Sequence, residues 1–276
     1  MKPEMLVILG IFFSFGVIEF FRTDLFHKNG QKKRDGIFEI LSVLALVFFT
    51  QPFALFMGAY VTSLIAPQAE GALAGLPFIA GFALFLIFDD LTQYWWHRAS
   101  HSLPWLYKLH RPHHDAAYMS IRVVYRNNIF YYALMPGLWL SGALVYLGLG
   151  WVYAFYIVIK MAVIYGAHSD VRWDRPLYEN RFTAPVMWLV ERVISTPATH
   201  HAHHGKHKAD GVTNYKGNYG NLLFFWDVLF GTALITRRYP KEFGVENLPE
   251  TSLGEQLVWP LISTGRKTPS PETRTA

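Results

Sequence analysis

Apolar residues in this chain gather into five long runs, at residues 5–21, 37–67, 76–88, 129–149 and 151–167. A helix of roughly 20 apolar residues crosses the hydrocarbon core of a bilayer, so each run predicts a membrane helix or part of one. The first run has only Lys2 ahead of it, and Arg22-Thr23-Asp24 follows where a cleavable leader would place small residues. It reads as an uncleaved span, with Glu19 near its end. The second run is interrupted at Gln51-Pro52. The residue before a proline disfavours helix, so this run predicts either one kinked span or a span followed by a re-entrant piece. Residues 71–75 form a loop, and Gly148 and Gly150 mark a tight turn between the last two runs. Residues 170–232 mix polar and aromatic positions and predict short helices lying on the membrane face. Beyond residue 233 come one weak amphipathic segment, 253–261, and a polar tail expected to be disordered after Gly265. The predicted fold class is all-α: a multi-pass transmembrane helical bundle of about four or five spans with a helical cap.

Charge orients this bundle. Residues 22–36 carry Arg22, Lys28, Lys32, Lys33 and Arg34, and such loops stay in the cytoplasm. Counting four crossings from there returns the chain to the cytoplasmic face at residue 97 and again at residue 168. The expectation is a multi-pass protein of a bacterial inner membrane, or of the endoplasmic reticulum in a eukaryote. Composition agrees: of 276 residues, 52% are hydrophobic and 16% charged, against about 25% charged in soluble domains. A net charge of +5 on so apolar a chain suits an anionic membrane surface and not nucleic acid. The predicted organisation is membrane spans over 1–75, a catalytic region over 76–232 and a cytoplasmic tail over 233–276. Lys160 falls inside a span, where charge is paired or functional; Asp89 on another span is its candidate partner.

The absence of cysteine excludes disulfides, thiolate ligands and iron–sulfur clusters, so any metal must be held by nitrogen and oxygen. Histidine supplies the nitrogen. Eleven of twelve histidines fall between His97 and His207, as H-x-x-x-H (His97, His101) and twice as H-x-x-H-H (His110, His113, His114; His200, His203, His204), with His168 between. On a helix, positions i, i+3 and i+4 share a face, so each box can aim two or three imidazoles at one point. Imidazole is the commonest ligand for mid-row transition metals, and so many convergent imidazoles exceed the needs of one ion: two ions are expected. Asp90 and Tyr94 lie on the face of His97 and are candidates to orient its ring, as is Asp227. His27 stands alone in the basic loop and is expected not to bind.

The motif series Asp90-L-T-Q-Tyr94-W-W-His97-R-A-S-His101, His110-R-P-His113-His114, His200-H-A-His203-His204 and Asn218-Y-G-N-L-L-F-F-Trp226-Asp227-V-L-Phe230-Gly231-Thr232 resembles the fatty acid hydroxylase/sterol desaturase superfamily of integral-membrane di-iron oxygenases. The resemblance covers roughly residues 82–232. It implies two iron ions (zinc in their place after purification), O2 as co-substrate, a lipid substrate in the bilayer and a separate electron-donor protein. It further implies His97, His101, His110, His113, His114, His168, His200, His203 and His204 as metal-binding and catalytic residues. Two positions depart from the pattern: His201 stands where members often carry a polar residue such as Asp, and Asp170 where many carry Asn. His201 and His207 leave open which imidazoles bind.

The chemistry also follows from the residues alone. Neutral imidazoles at the ends of packed apolar helices offer a ferrous ion donor ligands and a water-poor cavity, and an apolar chain can reach it from within the bilayer. Hydroxylation and desaturation both remain open, with hydroxylation favoured. A histidine-rich metal transporter would place its ligands mid-membrane or in low-complexity loops; here they sit at one face in ordered spacing. A zinc hydrolase would carry H-E-x-x-H, and no glutamate lies within any box.

Overall fold

A computed structural model describes residues 3–265; the tail expected to be disordered, 266–276, lies outside these. The described residues are helical, with two isolated bridges, Ile194 to Leu223 and Gly205 to Phe243, as the extended pairing. In chain order the helices are α1 (Pro3–Thr23), α2 (Lys33–Ala45), α3 (Gln51–Ile65), α4 (Phe78–Phe85), α5 (Thr92–Ser100), α6 (Pro104–His114) and α7 (Ile129–Ala133). They continue with α8 (Pro136–Leu144), α9 (Gly150–His168), α10 (Arg175–Glu179), α11 (Ala184–Val193), α12 (Pro197–His204), α13 (Phe225–Leu229) and α14 (Leu253–Val258).

Among the described residues, three stretches are long and apolar enough to cross a membrane by length and composition: Pro3–Thr23, Lys33–Ile65 and Pro136–His168, the last of which turns back at Gly148. Their side chains explain the setting. Only 17% of the most apolar window of each of the first two is buried in the protein, and Phe48, Phe49, Ile65 and Ile79 point outward. Such surfaces are stable only against lipid, so the protein is integral to a membrane.

The long run at 37–67 is one continuous helix and not a span with a re-entrant piece. A π-helical turn, Leu46–Thr50, sits immediately before Pro52. The wider turn accommodates a residue that has no amide hydrogen and whose ring crowds the preceding turn. A second π turn, Leu86–Leu91, joins α4 to α5. The run at 129–149 begins differently from expectation. Asn128 caps the short α7 by accepting from Phe130 N, and Pro136 opens α8 afresh. At Gly148 the backbone is left-handed (φ 103°), which glycine adopts without strain, and the chain reverses there. The reversal is visible at Asp89, which abuts Gly137 on α8 and bonds Tyr156 and Lys160 on α9.

Two close contacts fix the bundle. A Cβ on Gly58 of α3 would meet Trp139 O of α8 at 1.9 Å, and one on Gly142 would meet Leu55 O at 2.1 Å, so the two backbones touch. On the other side α1 packs along α9 through Ile8, Ile157, Ile164 and Tyr165. The lower end of α1 is tied down by the buried Glu19, which accepts from Ser120 Oγ, Ile121 N, Ser169 Oγ and Asp170 N. One carboxylate thereby joins the first helix to the segments following α6 and α9. The expected Lys160–Asp89 pair is present, at 2.6 Å, with both side chains buried.

Candidate metal centre

The histidine boxes occupy α5, α6, the end of α9 and α12. Each helix starts where the sequence allows it. Pro104 opens α6 and Pro197 opens α12, positions where a missing amide hydrogen costs nothing. Thr196 and Thr199 form a capping box ahead of the third histidine box. Pro112 lies inside α6, in its last turn, and α6 ends at His114.

The imidazoles of His97, His101, His110, His114 and His203 form one buried group, and those of His113, His168, His200 and His204 a second; within each, the candidate ligand atoms lie within 4.8 Å of one another. The division runs through the boxes. In both H-x-x-H-H helices the i and i+4 rings stay together and the i+3 ring crosses over. His110 and His114 join the first group while His113 joins the second; His200 and His204 join the second while His203 joins the first. Each helix therefore aims at two points, not one. The physical reason is angular: at 100° per residue, i+4 lies about 40° to one side of i, and i+3 about 60° to the other.

Hydrogen bonds fix which nitrogen faces inward. His97 Nδ1 donates to Tyr219 O (2.7 Å), His203 Nδ1 to Gly217 O (2.7 Å), His113 Nδ1 to Val123 O (3.0 Å) and His168 Nδ1 to Ile164 O (2.8 Å). Backbone carbonyls only accept, so these Nδ1 atoms carry the hydrogen and the Nε2 atoms present bare lone pairs. His110 Nδ1 donates to Asn127 Oδ1 (2.8 Å), and Asn127 in turn donates to Tyr132 OH (2.9 Å).

The Nε2 atoms then converge on one another. His97 and His203 approach to 3.0 Å and His110 and His114 to 3.1 Å; in the second group His113 and His168 approach to 3.3 Å, His168 and His200 to 2.9 Å, and His200 and His204 to 3.2 Å. In His97–His203 and His113–His168 both Nδ1 atoms are committed to carbonyls, so two bare lone pairs face each other in an apolar interior and repel unless a cation lies between them. Burial holds His97 down at about 4 and drives His110, His113, His114, His200, His203 and His204 well below the ordinary histidine value, with neighbouring imidazoles adding to it. Burial thus disfavours protonated imidazoles in both groups and favours neutral rings able to act as ligands. With metal–nitrogen bonds of about 2.0–2.1 Å, two ligands of one ion sit roughly 3.0–3.5 Å apart, which is the spacing observed. The residues fit two metal ions.

The remaining candidates lie further out. His201 turns away, its Nε2 on Ser169 O (3.0 Å) and its ring against Tyr239 and Phe243. His207 is partly exposed between Glu242 and Glu246, and His27 is exposed beside Asp24. Asp90 accepts from Trp226 Nε1 (2.8 Å) and Leu223 N (3.1 Å), and Tyr94 OH pairs with Thr232 Oγ1 (2.9 Å). Asp227 accepts from Tyr219 N (2.8 Å), Gly220 N (2.6 Å) and Thr232 Oγ1 (2.6 Å). None of these hydrogen bonds reaches a clustered imidazole; they shape the segment whose Gly217 and Tyr219 carbonyls do. Asp170 bonds Lys28 (2.7 Å) instead of the site. Sequence reasoning missed Asn127. Its signal was a paired asparagine at the entrance to an apolar run.

A cavity of about 380 Å³ leads from His97, His110, His113 and His168 into the bundle, reaching Met5 and Ile8 on α1 and Leu55 on α3. Its walls are mostly hydrocarbon, so the clusters stand at the head of a slot suited to an apolar chain.

A buried multi-histidine centre at the end of membrane helices, with an apolar slot beneath it, defines a membrane-bound oxygenase type of protein. The fatty acid hydroxylase family matches residues 82–232, more than half of the chain, and this chain belongs to that family. It is 26% identical to human alkylglycerol monooxygenase over 203 residues, 70% of this chain and 40% of that protein. The zebrafish (Danio rerio) alkylglycerol monooxygenase is 27% identical over 160 residues, 57% of this chain and 32% of that protein. The ornithine lipid hydroxylase OlsE of Rhizobium tropici is 27% identical over 271 residues, 91% of this chain and 74% of that protein. The chain thus spans about two fifths of the human alkylglycerol monooxygenase it resembles. No solved structure matches it.

Proposed function

We propose that this protein is a di-iron oxygenase that hydroxylates a C–H bond of a membrane lipid, using O2 and electrons from a separate donor protein. The observation that carries this reading is the facing of bare Nε2 lone pairs in two groups at the head of an apolar cavity. His97, His101, His110, His114 and His203 would hold one ion, and His113, His168, His200 and His204 the other. Iron bound there supplies the oxidising power that O2 and two electrons bring to an unactivated C–H bond. The protein's own part is positional. Tyr219 O, Gly217 O, Val123 O, Ile164 O and Asn127 fix the imidazole tautomers and planes before any ligand arrives. The hydrocarbon wall excludes water and aligns the substrate chain. The similarity to monooxygenases and to a lipid hydroxylase supports hydroxylation over desaturation.

We place the centre at the cytoplasmic face. The α2–α3 helix leaves the basic loop, α4–α5 returns to His97, α8 leaves and α9 returns to His168, so every box meets at the end from which the basic loop departs. The test of function supplies the purified, iron-loaded protein in nanodiscs with lipids of its own membrane, a chemical reductant and ¹⁸O2. A lipid product heavier by one ¹⁸O is expected. A product lighter by two hydrogens without label would replace hydroxylation by desaturation, and no oxygen-dependent product from any lipid fraction would overturn the reading.

A further inference from the structure

In the cavity wall, Lys160 and Gln93 are buried and keep hydrogen-bonding capacity that the described residues do not use. Lys160 is 5% exposed and Gln93 8%, and both line the same cavity as the four histidines. The Lys160 ammonium meets Asp89 Oδ2 at 2.6 Å, and that oxygen also accepts from Tyr156 OH at 2.8 Å. An ammonium has three hydrogens to donate, so the ion pair leaves Lys160 donors to spare. Gln93, one helical turn beyond Asp89 and one turn before His97, has a buried Oε1 without a partner among the described residues. An ion pair whose only task was to pin the α4–α5 helix to α9 has no need of a place in the cavity wall, and it leaves Gln93 unexplained.

The depth of this pair is set twice. Lys160 precedes His168 by eight residues on α9, and Asp89 precedes His97 by eight on the α4–α5 helix. At about 1.5 Å per residue, each helix puts the pair roughly 12 Å below the histidines. An extended hydrocarbon with C–C bonds of about 1.5 Å covers that distance in roughly nine carbons. Asp89 already neutralises Lys160, so an added carboxylate would sit against the carboxylate of Asp89. A neutral group that accepts from Lys160 and donates to Gln93 satisfies both.

We propose that Lys160, held by Asp89, and Gln93 form a polar station that binds an uncharged hydrogen-bonding group, a hydroxyl or an amide, carried on the lipid chain whose other part lies under the histidine clusters. The substrate is then a functionalised lipid, measured from this station. The inference rests on the oxygenase reading for what happens at the histidine end, but binding at the station does not depend on it.

The test uses metal-free, full-length protein in phosphatidylcholine nanodiscs and three photoreactive sixteen-carbon probes: one with a terminal hydroxyl, one with a carboxylate and one a plain hydrocarbon. A hydrogen bond to a charged group contributes about 1.5–3 kcal/mol, so the hydroxyl probe should label the wild type roughly tenfold or more above the hydrocarbon, with the carboxylate below the hydroxyl. Gln93→Leu, and Lys160→Met combined with Asp89→Leu, should bring hydroxyl labelling down towards the hydrocarbon level and leave hydrocarbon labelling unchanged. Equal labelling by all probes in the wild type, or wild-type labelling in Gln93→Leu, overturns the station. If the double variant loses hydrocarbon labelling as well, it has lost its fold, and Gln93→Leu, which keeps the ion pair, decides. Labelling needs neither metal nor turnover. The expected pattern without any ¹⁸O product removes the oxygenase reading alone, and an ¹⁸O product with probe-independent labelling removes the station alone.

Discussion

Asp227→Asn isolates how far the protein's own scaffold, as opposed to the histidines, sets the proposed metal centre. Asp227 is fully buried. Its Oδ1 serves Tyr219 N and Thr232 Oγ1, and its Oδ2 serves Gly220 N. Asparagine keeps the shape but turns one oxygen into an NH2 donor. Whichever way the amide sits, one backbone N–H faces a donor: Gly220 N in one orientation, Tyr219 N in the other. A buried N–H left without an acceptor costs about 1–3 kcal/mol. Burial also raises the Asp227 carboxyl above its ordinary value, and the hydrogen bonds from Thr232, Gly220 and Tyr219 offset this only in part. Ionised Asp227 is thus a burden on the fold at neutral pH, and removing its charge returns some of that cost. The expected global loss is therefore at the low end, about 1 kcal/mol. The local effect is larger, because Tyr219 O is the acceptor that holds His97 Nδ1. Loosening such a partner lowers metal affinity or activity about 10–100-fold. The assay pairs a thermal melt of metal-free protein with iron titration by chelator competition. A small shift in melting with a tenfold or greater loss of affinity is expected. Unchanged affinity with a large loss of stability would show that the carboxylate only holds the fold and does not act on His97 through Tyr219.

His113→Ala and His203→Ala should each reduce bound metal from two ions to one per chain and abolish lipid oxidation, since they belong to different groups; elemental analysis of matched preparations checks this, with His27→Ala as the silent control. Metal-free protein should lose stability in acid: an imidazole depressed by burial, as at His97 (about 4), contributes stability that is fully present above about pH 6.5 and is lost as pH falls toward the folded value, so melting temperature should drop between pH 6.5 and 5 and hold steady above 7. Gly58→Ala should destabilise by about 1–3 kcal/mol or more, because its Cβ would fall 1.9 Å from Trp139 O, a backbone atom that can move only with its helix; detergent unfolding measures it. Reporter fusions at Gly36 and Gly205 should lie on one side of the membrane and at Gly75 on the other.

Much of the helical framework is legible because a bilayer demands long apolar runs and because glycine and proline punctuate them. The Lys160–Asp89 pair followed from the cost of an unpaired charge among hydrocarbon. What stayed hidden follows from the same physics applied at shorter range. Pro136 splits the run at 129–149, and a hydropathy reading that sums over a window passes over one residue that cannot donate a hydrogen bond. Gln51-Pro52 predicts one kinked span or a span and a re-entrant piece; the single span is what forms, with a π turn ahead of Pro52 that nothing in the apolar residues at 46–50 announces. The partners of the clustered imidazoles are mostly unreadable, since four of their five Nδ1 partners are backbone carbonyls, which every residue possesses.

The division of the boxes is the most instructive case. Reading i, i+3 and i+4 as one face made each H-x-x-H-H box a single claw. The 100° between i+3 and i+4 makes it a bridge instead: α6 gives two rings to the first group and one to the second, and α12 gives one to the first and two to the second. Neither group can be assembled from one helix, and neither helix can move without disturbing both groups. Displacing α12 by as little as 1 Å would spoil Nε2 separations near 3 Å in both groups together, and displacing α6 would spoil the His113–His168 approach. This explains why so much of the buried polar network serves position and not ligation. Glu19 ties α1 to the segments following α6 and α9, Asp174 accepts from Ala198 N at the start of α12 (2.8 Å), and Asn218 donates to Thr199 O within α12 (2.8 Å). A centre shared by two helices needs both helices anchored from outside, and the anchors come from every part of the chain, including a first helix that lies beyond the family's matched region.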